Sequence, residues 1–136
     1  MQQTLFQIQS TTATTQAAAI TEAENITPQN RSDLLRLFYG NGQNNPPTIE
    51  FHEDSAHGWL QVPKQLIKKL GIGAEISGYS YQDKNNIYLE EDCDLSLFYN
   101  KLQIKESGLH KDFWELCPKD YKDHSPIRNK QGYTTI

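Results

Sequence analysis

The sequence predicts an α+β fold, in which two short β-hairpins form a small antiparallel sheet and short helices cover one face. Three observations predict it. Two pairs of alternating apolar and polar stretches, 48–52 with 57–62 and 78–81 with 87–90, are each broken by a polar turn. Each pair is followed by a segment with helical apolar spacing, so the order strand–strand–helix occurs twice. The chain has 136 residues, of which 36% are hydrophobic, enough for one domain with one modest core.

Residues 1–32 stand apart as a polar, low-complexity tail or arm. They hold one basic residue, Arg31, and two acids, Glu22 and Glu24, and are rich in Thr, Gln and Ala. Such a stretch buries too little apolar surface to offset an ordering entropy of roughly 1–2 kcal/mol per residue. Within it, residues 16–24 have the Ala and Glu content of a marginal helix, with Thr15 at its cap.

The single α+β domain is expected over 33–136. Ser32 is placed to cap a helix over 33–39, stopped by Gly40, whose Leu34, Leu35, Leu37 and Phe38 call for docking on the main body. Residues 41–47 read as a linker. In the first hairpin Ile49 and Phe51 share one face, and 53–56 is the turn. Pro63 opens the next helix, with Leu66, Ile67 and Leu70 on one side and Gly71 as its stop. The second hairpin turns over Asp83–Asn86, whose residues tolerate left-handed backbone. Asp92 or Asp94 then caps a helix carrying Leu95, Phe98, Tyr99 and Leu102. Phe113, Trp114 and Leu116 mark one more short buried element ended by Pro118, and 119–136 are expected to run over the surface.

The charge balance narrows function. Thirteen basic residues against 17 acidic ones give a net charge of −4. Coating of duplex DNA relies on clustered Lys and Arg that release counterions, so direct nucleic-acid binding is disfavoured. No apolar run reaches the roughly 18–20 residues of a membrane span, and the start lacks a signal-peptide pattern. The expected compartment is a reducing cytoplasm, with Cys93 and Cys117 as free thiols.

The run His57-Gly-Trp-Leu-Gln-Val-Pro63, with Leu70-Gly-Ile72, Ile76-Ser77, Tyr79-Ser-Tyr81, Tyr88-Leu-Glu-Glu-Asp-Cys-Asp94 and Ser125-Pro-Ile-Arg-Asn129, resembles an uncharacterised group of small proteins of bacterial plasmids and phages. The resemblance spans about residues 50–129. It implies a mobile-element accessory protein, with anti-defence action, as an anti-CRISPR or antirestriction inhibitor, among the expectations. It brings no catalytic residues.

The acidic run Glu90, Glu91, Asp92 and Asp94 is the most unusual local feature. A helix N-terminus accommodates one or two of these acids as caps. The others are free to hold a cation or to face a basic partner, although the spacing lacks an EF-hand loop. His57 and Trp59 share one strand face, opposite Leu60 and Val62, and Trp59 is expected to be buried in packing, under the 33–39 helix for instance. The acids around Cys93 raise its pKa and work against a nucleophile. His110, Cys117 and His124 match no common zinc spacing. Gly71-Ile-Gly73 follows a helix and is a C-cap, not a phosphate loop. The basic residues of the last third, from Lys101 to Lys130, interleave with acids and read as a solvated surface despite the nearby Phe113, Trp114, Tyr121 and Tyr133.

These readings favour a non-enzymatic protein that covers a basic surface of a host protein, needing no cofactor. The expected contact residues are Glu90, Glu91, Asp92, Asp94, Tyr79, Tyr81, Tyr88, His57 and Trp59, aromatics supplying anchor area and carboxylates opposing Arg and Lys. The alternative is a nucleic-acid-associated or metal-dependent enzyme using the acidic run and His57.

Overall fold

The computed structural model describes residues 26–42 and 45–136. The expected marginal helix over 16–24 lies outside the described residues. Those residues form an α+β fold: helices α1 (Arg31–Tyr39), α2 (Lys64–Leu70), α3 (Leu95–Lys101) and α4 (His110–Leu116) cover one face of a six-stranded sheet. The strands are β1 (Glu50–Glu53), β2 (Gly58–Pro63), β3 (Tyr81–Gln82), β4 (Asn86–Glu90), β5 (Lys119–Tyr121) and β6 (Gln131–Gly132), in the order β5-β1-β2-β4-β3-β6. The two expected hairpins supply the four inner strands, but the strand expected over 78–81 keeps only Tyr81: residues 77–80 form a loop held by Asp94, and the strand is Tyr81–Gln82. The segment expected to run over the surface instead supplies both edges: β5 pairs parallel with β1, and β6 antiparallel with β3.

Alternation divides the sheet into two unlike faces. Phe51 pairs with Leu60, Leu60 with Leu89 and Val62 with Ile87, so these apolar side chains lie on the helix side. Leu34 and Phe38 of α1, Ile67 of α2, Phe98 of α3 and Phe113 of α4 meet them there, all fully buried. Each such burial stabilises the fold by about 1.5–3 kcal/mol. The opposite face carries His52, Trp59, Gln61, Tyr81, Tyr88 and Glu90, which face one another across the ladders.

Local signals set the element ends. Asn30, not Ser32, caps α1: its side-chain oxygen accepts from the Asp33 N–H at 2.9 Å, while Asp33 accepts from the Gln29 N–H at 2.8 Å. Ile26, ahead of that cap, is already part of the core. Pro63 ends β2 and stands at the cap of α2, and Gly71 closes that helix with φ 71°, a conformation that favours glycine.

Trp59 is 2% exposed, as the sequence predicts, but α1 does not cover it. It packs with Tyr88, Ile127 and Tyr81 on the sheet's second face, and the Arg128 guanidinium lies over its ring at 5.2 Å. The C-terminal segment is therefore a strap across that face.

Candidate functional site

The strap is tied down at the β1–β2 turn. Asp54 Oδ1 accepts from the Ala56 and His57 N–H groups, each at 3.0 Å, closing the turn. Arg128 donates to both Asp54 oxygens, from Nε at 2.6 Å and from Nη2 at 3.0 Å. The guanidinium and these backbone donors hold the Asp54 carboxyl well below the usual range, against the opposing effect of burial. This pair links residues 74 apart in sequence. Sequence reasoning missed it, although an Asp opening a short inter-strand turn was a local hint.

Glu90 ends β4 directly opposite Trp59. The expected strand-end, solvent-facing carboxylate is instead 6% exposed. Its Oε1 accepts from the Asp92 and Cys93 N–H groups, both at 2.9 Å, and its Oε2 faces His57 Nδ1 at 3.4 Å. Glu90 thus satisfies the orphan donors of the turn into α3, the task the sequence assigns to Asp92 or Asp94.

Asp94 makes no side-chain cap to α3. It is 2% exposed and points to the preceding loop, accepting from the Ser77 N–H at 3.1 Å, Ser77 Oγ at 2.7 Å and Ser80 Oγ at 2.6 Å. Ser77 Oγ in turn accepts from the Tyr79 N–H at 3.1 Å. This anchorage fixes a loop whose outermost side chain, Tyr79, is 71% exposed. The loop's role escaped sequence reasoning because Ser77 and Ser80 carry no recognisable spacing to Asp94.

The nine expected contact residues thus separate. Tyr79, His57, Glu91 and Asp92 are exposed and Tyr81 is half-buried. Trp59, Tyr88, Glu90 and Asp94 are buried in the chain itself. Tyr88 donates its hydroxyl to Asp83 at 2.6 Å under the Lys130 ammonium, which lies 5.0 Å from its ring centroid. Burial, then this carboxylate, push the Tyr88 hydroxyl up.

Six of these, His57, Trp59, Tyr79, Tyr81, Glu90 and Asp92, line a notch of about 270 Å³ together with Cys93 and Arg128. Desolvation and the neighbouring carboxylates push the Cys93 thiol up, which opposes nucleophilic chemistry there. Ligand atoms of His57, Glu90 and Asp92 lie within 4.8 Å of one another, a set able to hold a divalent cation. A second such set, Glu50, His52 and Asp120, lies on the same sheet face. Partial desolvation, then Asp92, Glu90 and Glu53, push the Glu91 carboxyl up, with His57 opposing them. Among the described residues, no Lys or Arg pairs with Glu53, Glu91 or Asp92.

Comparison with family models, curated proteins and solved structures returns no match. No helix among the described residues is long and apolar enough to cross a membrane.

Proposed function

We propose that the protein is a non-enzymatic binding module that engages a basic surface of another protein through the corner formed by Glu53, Glu91, Asp92 and Tyr79. The observation that supports this reading most is the gathering of unpaired carboxylates beside an aromatic side chain held in solvent by a rigid loop. Exposed carboxylates steer a basic partner, and a fixed tyrosine supplies contact area at low entropic cost. The buried acids Glu90 and Asp94 are engaged with backbone and hydroxyl donors, roles that explain them structurally without chemistry. The resemblance of about residues 50–129 to plasmid- and phage-borne proteins supports an accessory role for a mobile element, with interference in a host defence as the activity it favours.

The test is charge reversal at exposed positions, Glu91→Lys with Asp92→Lys. The double variant should melt within a few degrees of the parent, yet associate much more slowly with a purified partner. The parent's association rate should fall steeply as salt shortens the screening length from about 10 Å toward about 3 Å. Association indifferent to both salt and charge reversal overturns the reading.

The His57–Glu90–Asp92 set supports a second reading, a metal site. Added zinc or calcium would then raise the melting temperature through binding to the folded state alone, and Asp92→Asn would abolish the shift.

A further inference from the structure

We propose that the notch beside Trp59 receives one arginine side chain of the partner, an inference that rests on the binding-module reading and names the group it recognises. Its walls combine two features that a guanidinium uses together. One is aromatic: Tyr81 packs against Trp59 with ring centroids 6.2 Å apart, and Tyr79 stands exposed at the rim. The other is acceptor capacity, from the carboxylates of Glu90 and Asp92. Among the described residues the Asp92 carboxylate makes no hydrogen bond, and Glu90 Oε2 has His57 Nδ1 at 3.4 Å beside it. A ligand that brings donors and positive charge completes both.

A guanidinium is flat, carries five N–H donors and no acceptor, and stacks on rings while donating to carboxylates in its plane. The molecule already holds one in this manner: Arg128 lies over the Trp59 ring at 5.2 Å while donating to Asp54 through two nitrogens. That pairing offsets the charge of Arg128, leaving Glu90 and Asp92 as the carboxylates that line the notch. A lysine ammonium would meet the carboxylates but gain less from the flat rings. A nucleobase would stack, but its phosphate would meet the acidic rim.

The experiment is an NMR titration of the full chain with acetyl-Gly-Arg-Gly-amide, and with the lysine and citrulline counterparts. Citrulline keeps the shape of arginine and removes its charge. The arginine peptide should shift the Trp59 indole N–H and the Asp92 and Cys93 amides saturably. The lysine peptide should bind about tenfold more weakly, and citrulline should leave these signals in place. Asp92→Asn and Tyr79→Ala should each weaken the arginine peptide, with melting temperatures unchanged because both side chains are exposed. Shifts that do not saturate, or that citrulline reproduces, overturn the inference. So does saturable occupation of the notch by guanosine or zinc with none by the arginine peptide. If partner association is lost in Glu91→Lys but indifferent to Asp92→Asn, the arginine notch is wrong and the broader reading stands.

Discussion

Glu90 and Glu91 are neighbours of the same residue type with opposite environments, and substitution should separate them. Glu90 is 6% exposed and its carboxylate accepts from two backbone N–H groups. Glu90→Ala removes the acceptor of the Asp92 N–H, leaves the Cys93 N–H only the Glu90 carbonyl at 3.3 Å, and should cost about 1–3 kcal/mol. Glu91 is exposed and surrounded by like charges, so Glu91→Ala should lie within about 0.5 kcal/mol of the parent. Chemical denaturation of the two variants side by side measures the difference. Equal effects would mean that Glu90 is not the turn's acceptor. Trp59 is a third case: at 2% exposure, Trp59→Ala should cost about 3–5 kcal/mol. A variant of native stability that lost only partner binding would make Trp59 a contact residue instead. Gly58 stands between these groups for steric reasons. A Cβ there would collide with the Phe51 ring and come within 3.1 Å of Glu91 Oε1, so this strand start admits no side chain.

At the scale of elements, the C-terminal strap decides how far the sequence could be read. The inner hairpins, α2 and the left-handed Gly71 stop were legible because each rests on local signals: alternation of period two, apolar spacing of helical period, a glycine after a helix. The edge strands were not, because β5 and β6 are three and two residues long, largely exposed, and show no alternation of their own. Their place is set by contacts remote in sequence: the Asp54–Arg128 pair, the Phe51 N–H donating to the Pro118 carbonyl at 2.8 Å, and the Tyr133 N–H donating to the Ser80 carbonyl at 2.9 Å. The site divides along the same line. The acidic run and the Trp59 face were visible as composition and alternation. Which acids are buried depends on the Ser77–Ser80 loop and the strap, which no local pattern encodes. Removing residues 124–136 should therefore strip Ile127, Arg128 and Lys130 from the second sheet face and uncover Trp59. The expected outcome is a large fall in melting temperature with a red-shifted tryptophan emission. Unchanged emission and an unchanged melt would show that the strap does not cover this face. The other terminus has a similar limit. Truncation through residue 30 removes the Asn30 cap and the buried Ile26, and should cost about 2–4 kcal/mol.

Across the whole molecule, the charge pairs that fasten the strap make stability depend on acid, and buried neutral groups make it depend on alkali. Asp83 is drawn down to about 2: burial opposes ionisation, but hydrogen bonds from Tyr88, the Asn86 and Asn85 N–H groups and Lys130 outweigh it. Asp54 is likewise held low, by Arg128 first. In the unfolded chain both return to near 3.8, so below that pH the unfolded state binds protons that the folded state refuses. Their contribution is complete above the unfolded value and is lost as pH falls from about 4 toward 2. The alkaline side has the reverse sign. Burial pushes the Cys117 thiol up to about 11, against an ordinary value of 9.0, and Tyr88 is raised as well. These groups stay protonated in the fold while the unfolded chain ionises, so stability falls as pH rises from about 9 to about 11. Urea denaturation at a series of pH values should show a plateau between these limbs. Asp83→Asn should lower the plateau and flatten the acid limb, since the group whose proton binding drives part of that loss is gone. An acid limb of unchanged steepness in that variant would mean that Asp83 takes no part in the acid stability of the fold.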